Sequence, residues 1–168
     1  MMKSIKLIII LLAIFGLCAV SMADDEPLMA LKFEQYPAKK IYKGKPAPPI
    51  LKDKNAKLYK TSIREGATDG PNFAGEYTIV THGCGACCNG FFIVSARTGK
   101  VYKRPFIVAC HYEKGVPGYG VAELNYQLDS KLLIVRGSRD DKGGGEYYYL
   151  WEKDQLKLLK SLEKVVAQ

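Results

Sequence analysis

The chain has 168 residues, of which 48% are hydrophobic and 25% are charged, and its formal net charge is +8. This length excludes a mini-protein held together by disulfides alone and favours one domain with a real core. No RNA-binding or helix-turn-helix signature accompanies the moderate positive charge, so a nucleic-acid partner is not indicated.

Residues 1–23 have the pattern of a secretory signal peptide. Two lysines precede an uncharged apolar run from Leu7 to Val20, and small residues precede Asp24. The run is shorter than the roughly 20 residues that a membrane-spanning helix needs. We therefore expect a periplasmic or secreted chain that begins at Asp24, without stable membrane insertion, and that has lost two lysines, which lowers its net charge from +8 to +6.

Cys18 raises a lipoprotein alternative. A bacterial lipobox has a small residue directly before the modified cysteine, whereas Leu17 stands there in this chain. We favour the form without a lipid anchor.

Residues 24–52 are predicted to form an extended Pro-rich N-terminal segment, and residues 53–168 a single β-rich domain. Five of the eight prolines lie in the first of these ranges, and proline keeps the residue before it extended. One short strand is expected near Leu31–Phe33. The lysines are spread along the chain, with local groups at Lys39–Lys40 and Lys52–Lys60, and are interpreted as a solvated surface.

One helix is predicted over Asn55–Glu65. Ala56, Tyr59 and Ile63 fall at helical spacing, and Gly66 is expected to provide the C-terminal cap.

Seven short strands are predicted after this helix, because β-branched and aromatic runs alternate with turn-like segments. The apolar run Leu132–Val135 indicates a strand covered on both faces. The aromatic run Tyr147–Trp151 is interpreted as core packing rather than a sugar-binding platform, and Lys142–Gly145 as a hairpin tip. The fold class is therefore α+β, a mostly antiparallel β-meander of about seven strands with one helix, disulfide-stapled. The predicted strands are Glu76–His82, Phe91–Ala96, Val101–Cys110, Ala122–Leu128, Leu132–Gly137, Glu146–Trp151 and Leu156–Leu159.

The segment Thr81–Cys88, THGCGACC, holds three of the five cysteines. Without Cys18 four remain, Cys84, Cys87, Cys88 and Cys110, an even number that is typical of an oxidised exported protein. Three pairings are possible. Nearby glycines let the backbone curl, which favours Cys84 with Cys88 and Cys87 with Cys110. The other two pairings stay open.

A catalytic alternative comes from Thr81-His82-Gly83-Cys84, which resembles the core motif of L,D-transpeptidases, periplasmic enzymes with a cysteine nucleophile. That resemblance implies Cys84 as nucleophile and His82 as its partner in acyl transfer. The chain departs from the family after Cys84 and lacks its upstream histidine, and a thiol nucleophile needs a positioned base. We favour structural disulfides over this hypothesis.

Metal binding and redox chemistry are two further alternatives. Thiolates and imidazoles suit zinc or Cu(I), but three thiols crowd one loop and oxidation competes for them. The C-x-x-C motif Cys84–Cys87 precedes a predicted strand rather than the helix that lowers a thiol pKa in thioredoxin-like proteins. We predict neither a cofactor nor a metal. The alternative metal ligands are His82, Cys84, Cys87, Cys88, Cys110 and His111.

The stretch Gly70–Cys88, GPNFAGEYTIVTHGCGACC, resembles a group of small exported bacterial proteins that carry a GPNFAGxY motif followed by a Gly-Cys-Gly turn. The resemblance extends through the later strands and implies no assigned activity. In that group the matching cysteines are Cys84 and Cys88, which favours the two-disulfide arrangement, and an aromatic residue is usual at His82.

These observations predict an exported, non-enzymatic binding or accessory protein of the bacterial envelope, such as an inhibitor or immunity protein. No complete acid/base pair, triad or metal motif is present in the sequence, whereas small β domains are natural protein-binding scaffolds. Candidate binding residues are Tyr119, at the centre of a Gly-rich loop, with Asn72 and Glu76. Another protein or an anionic envelope component is the expected partner.

Overall fold

The computed structural model describes residues 30–103, 105–112, 114–115, 119–140 and 142–163. The predicted signal peptide and Cys18 lie outside the described residues. The described residues from Leu31 onward form one compact unit. None of the helices in the described ranges is long and apolar enough to cross a membrane.

The fold is α+β and dominated by an antiparallel sheet, as predicted. A 3₁₀ turn at Phe33–Gln35 comes first, followed by two short helices, α1 (Lys54–Leu58) and α2 (Lys60–Thr68). Eight strands follow within the part of the chain that the structure describes: β1 (Tyr77–Gly85), β2 (Cys88–Ser95), β3 (Val101–Tyr102), β4 (Ile107–Ala109), β5 (Glu123–Tyr126), β6 (Leu132–Arg139), β7 (Lys142–Glu152) and β8 (Gln155–Glu163).

The strands form a single sheet in the order β1-β2-β4-β6-β7-β8, with β3 beside β2 and β5 beside β6. Long hairpins join β1 to β2 and β7 to β8. The short strand β4 connects the two halves of the sheet, because it pairs with the start of β2 and with the end of β6.

Strand β2 is buried on both faces, which explains its continuous apolar sequence. Phe91 and Ile93 belong to a core cluster that includes side chains of β6 and β7. Phe92 and Val94 point the other way and pack against Ala56, Ile63 and Ala67 of the helices. All four strand residues are 2% exposed or less, so β2 lies between two apolar layers.

The helical region differs from the prediction in two respects. Two helices replace one, because Tyr59, at φ −100° and ψ 27°, separates them. Gly66 is not a cap but lies inside α2, where a Cβ atom would collide with the Val80 side chain of β1. The left-handed residue after the helix is Gly70, at φ +85°.

Three other predicted elements also differ. The predicted strand Val101–Cys110 is divided into β3 and β4 around Pro105, which has no N–H to donate. The predicted hairpin tip Lys142–Gly145 belongs to β7. Near Phe33 the chain forms a 3₁₀ turn instead of a strand, and the Lys32 backbone N–H donates to Gln35 Oε1 at 2.8 Å.

The Pro-rich segment is attached by backbone hydrogen bonds to turns that lie next to the strands. The N–H groups of Ala38, Tyr42, Ala47 and Ile50 donate to carbonyl oxygens of the domain at 2.7–2.8 Å. Apart from isolated bridges at Pro37 and Ile50, residues 36–52 form no helix or strand.

The aromatic run of β7 is core, as the sequence indicated. Tyr147, Tyr149 and Trp151 are at most 5% exposed and share one cluster with Phe73 of the GPNFAG turn. Tyr148 points to the opposite face, where its hydroxyl donates to Glu146.

The burial of tyrosine side chains, in β7 and elsewhere in the domain, predicts how stability changes at alkaline pH. Desolvation raises the pKa of Tyr102, Tyr126, Tyr147, Tyr148 and Tyr149. A raised folded-state pKa contributes stability that is present below the unfolded value of about 10 and lost above it. We expect the free energy of unfolding to fall as the pH rises above about 10. Absorbance titration should show that phenolates form at a higher pH in the native protein than in the unfolded chain. The urea-unfolded chain, which titrates in one phase, is the control; identical native and unfolded curves contradict the prediction.

Candidate functional site

The tip of the β1–β2 hairpin is an exposed turn with a strained backbone. The strands pair up to Gly85 and Cys88, with a register irregularity between Gly83 and Gly85. Gly85 has φ +137° and Cys87 has φ +50°, a left-handed value that side chains rarely adopt. Residues 83–87 are all exposed.

Two disulfides hold this turn and join it to β4. Cys84 bonds to Cys88 and Cys87 bonds to Cys110, with Cα–Cα distances of 5.2 and 5.4 Å. This is the pairing that the sequence favoured. The Cys110 backbone N–H also donates to the Cys87 carbonyl oxygen at 2.9 Å, so the connection between hairpin tip and β4 is both covalent and hydrogen-bonded.

Two exposed tyrosines lie on the chain that leaves Cys110. Tyr112 is 68% exposed and Tyr119 is 49% exposed, and their rings meet edge to face with centroids 6.3 Å apart. The Gly120 N–H donates to the His111 carbonyl oxygen at 2.6 Å, which closes this loop. We call residues 84–88, 110–112 and 119–120 the disulfide end.

His82 is buried next to the disulfide end rather than presented at it. Its ring stacks on Tyr59 with centroids 3.7 Å apart and contacts Phe92. The ring also covers Gly90 of β2, where a Cβ atom would collide with it. Because the Cys84 sulfur is bonded to Cys88, the alternative nucleophile carries no thiol in this structure.

The alternative metal ligands are not brought together. His111 lies over Gly144 of β7, whereas His82 lies against Tyr59, and the four sulfurs are bonded in pairs. Within the described ranges, no three His, Cys, Asp or Glu side chains are arranged to hold a metal ion.

Asn72 and Glu76 both have partners within the fold. The Asn72 side chain bonds both backbone groups of Ile79, donating to its O at 3.1 Å and accepting from its N at 2.8 Å. It also lines a surface pocket of about 380 Å³ between α2 and β1. Glu76 accepts two hydrogen bonds from Arg97, at 2.9 and 3.0 Å, and is not among the residues that line this pocket.

An aromatic cleft that sequence reasoning missed lies between β3 and β8. It has a volume of about 380 Å³ and combines Tyr102 and Phe106 with Tyr149 and Trp151 of β7. The interruption of the predicted strand at Pro105 is the sequence signal that marks it. Tyr112 was also missed, although it follows a disulfide cysteine by two residues.

The polar edge of this cleft is internally paired. Asp154 accepts from Lys100 Nζ at 2.8 Å and from the Tyr102 hydroxyl at 2.9 Å. The hydrogen bond from Lys100 lowers the pKa of the Asp154 carboxyl, and the Tyr102 hydroxyl acts in the same direction. Lys100 also lies over the Tyr102 ring at 4.5 Å. The described lining is mainly aromatic and apolar and contains no thiol or imidazole.

Comparison with known proteins adds no family. No family model matches the chain, and no curated protein or solved structure shows significant similarity to it. The resemblance carried by the GPNFAG and Gly-Cys-Gly motifs therefore stays a prediction.

The packing of His82 on Gly90 yields a prediction with a matched control. Gly90→Ala forces the imidazole off its stack with Tyr59, and overpacking of this kind costs about 1–3 kcal/mol. Gly83→Ala, in the neighbouring strand, meets no atom within 4 Å and should change stability by less than about 0.5 kcal/mol. Urea unfolding measures both; equal effects contradict the proposed contact.

The state of the sulfurs is tested by alkylation and intact mass. In a chain that begins at Asp24, we expect no cysteine to be modified without reductant and all four to be modified after reduction. Rapid labelling of Cys84 in the native protein contradicts this and restores the thiol chemistry that the resemblance to L,D-transpeptidases implies.

Proposed function

We propose that this chain is an exported, non-enzymatic binding protein of the bacterial envelope, and that the disulfide end recognises another protein. The role of an inhibitor or immunity protein belongs to this proposal. The observation that carries it is the presence of two exposed tyrosines beside a turn held by two disulfides.

The tyrosine pair is suited to protein recognition. Tyrosine is enriched at protein interfaces, where it supplies a large contact area at low cost in conformational entropy. Tyr112 and Tyr119 together are far more exposed than the aromatic residues of the core, so both rings are available to a partner.

The disulfides support the proposal through preorganisation. A loop that is already fixed loses less conformational entropy on binding, so more of the contact energy appears as affinity. The bond between Cys87 and Cys110 fixes the hairpin tip relative to the strand that leads to Tyr112. A flexible loop of the same composition lacks this advantage.

Export is supported by the sequence and is compatible with the disulfides. Disulfides persist in oxidising compartments and are rare in the cytosol, and residues 1–23 have the pattern of a signal peptide. A periplasmic or secreted location is part of the same proposal.

Site-specific photo-crosslinking in the producing cells tests the function. A photoreactive phenylalanine analogue replaces Tyr119 or Tyr112, and Leu158, which is 43% exposed on β8, provides the control position. We expect a discrete higher-mass adduct from both tyrosine positions and none from Leu158. Loss of the adduct in a Cys87→Ser/Cys110→Ser variant that still folds supports preorganisation. No adduct from either tyrosine, or equal adducts from all three positions, refutes the proposal.

A further inference from the structure

The formal charge is distributed very unevenly along the chain. Residues 30–64 contain ten basic residues (Lys and Arg) but only two acidic ones (Asp and Glu). Residues 65–168 contain thirteen basic and twelve acidic residues. The first range comprises the Pro-rich segment, α1 and the first half of α2. The positive charge of the domain is therefore concentrated on the elements outside the sheet.

Four of these cations form a stripe along the helices. Lys54 and Lys57 of α1 are three residues apart and Lys60 and Arg64 of α2 are four residues apart, so each pair lies on one side of its own helix. The two pairs meet at Tyr59, whose N–H donates to the Asn55 carbonyl oxygen at 3.1 Å and whose carbonyl oxygen accepts from the Ile63 N–H at 3.0 Å.

The stripe is turned away from the core. All four side chains are exposed, whereas the residues that α1 and α2 bury are Ala56, Ile63 and Ala67. None of the four cations forms an ion pair with another described residue. Of the nearby carboxylates, Asp53 accepts from the first backbone N–H groups of α1, and Glu65 stands at the far end.

Exposed aliphatic side chains accompany this charge. Leu58, beside the stripe, is 74% exposed, and Ile41 and Ile50 of the Pro-rich segment are 44% and 47% exposed. Elsewhere among the described residues, Leu158 is the one large aliphatic side chain with comparable exposure. Leu58 is thus the most exposed large hydrophobic residue described, and it stands among lysines.

We propose that this face, Lys54, Lys57, Lys60 and Arg64 with Leu58, docks on the surface of an anionic phospholipid bilayer. The cations contact the headgroups while Leu58 enters the boundary with the acyl chains. Basic residues with an apolar neighbour fit such an interface, because anionic headgroups attract the cations and the acyl-chain boundary buries the aliphatic side chain. A soluble polyanion attracts the cations but offers no apolar region in which Leu58 could be buried. The site lies on the helices and is separate from the tyrosine pair proposed to bind protein.

Vesicle co-sedimentation tests the proposal. We expect the domain to bind vesicles of phosphatidylglycerol and phosphatidylethanolamine and to bind neutral phosphatidylcholine vesicles far more weakly. Lys57→Gln/Lys60→Gln should weaken binding by about fivefold for each charge removed. Lys153→Gln/Lys157→Gln removes the same charge from exposed positions of the β7–β8 hairpin and should change binding by less than about twofold, since charges outside the face do not reach the headgroups.

Leu58→Ser separates the bilayer from other polyanions. Loss of leucine burial should weaken vesicle binding by about tenfold while leaving its salt dependence unchanged. Equal binding to neutral vesicles, or an equal loss in the hairpin control, refutes the proposal. Unchanged vesicle binding by Leu58→Ser, together with equally tight binding of soluble polyphosphate, assigns the face to a phosphate polymer instead of a bilayer.

Discussion

The burial of β2 on both faces is the constraint on which the rest of the structure depends. Its four residues from Phe91 to Val94 face alternately towards the sheet core and towards the helices. A strand of this kind needs an apolar layer on each side. The position of α1 and α2 therefore follows from Phe92 and Val94, and the hairpin tip that ends at Cys88 is held by the core as well as by its disulfides.

Local sequence patterns predicted helices and strands correctly where the spacing of apolar residues determines them. They gave the wrong role for glycines whose position is determined by a residue distant in sequence. Gly66 has the composition of a helix cap, but Val80 packs closely against it and requires a residue without a side chain inside the helix. Gly144 and Gly145 similarly have the composition of a turn. In the structure both glycines lie within β7, where Gly144 makes room for the His111 ring and Gly145 for the backbone of Leu162 in β8. Neither contact is visible from the local sequence.

The candidate sites show the same division. The disulfide pairing was accessible from the spacing of cysteines and glycines, and the exposure of Tyr119 from its Gly-rich loop. Asn72 was singled out as a binding residue, yet its amide is directed to the backbone of Ile79. The lysines were interpreted as a dispersed solvated surface. Their shared exposure on α1 and α2 becomes visible only when the burial of Ala56, Ile63 and Ala67 shows which sides of the two helices are turned inward.

A single ring contact connects the helices to the disulfide end. Tyr59, at the junction of α1 and α2, stacks on His82, which precedes Cys84 by two residues. The same imidazole covers Gly90, which follows Cys88 by two residues in the partner strand. The helices that carry the basic stripe and the Cys87–Cys110 disulfide that precedes Tyr112 are therefore both attached to the β1–β2 hairpin. Because both attachments are part of the folded domain, we expect little of the contact energy at either proposed surface to be lost in ordering the backbone of the elements that carry it.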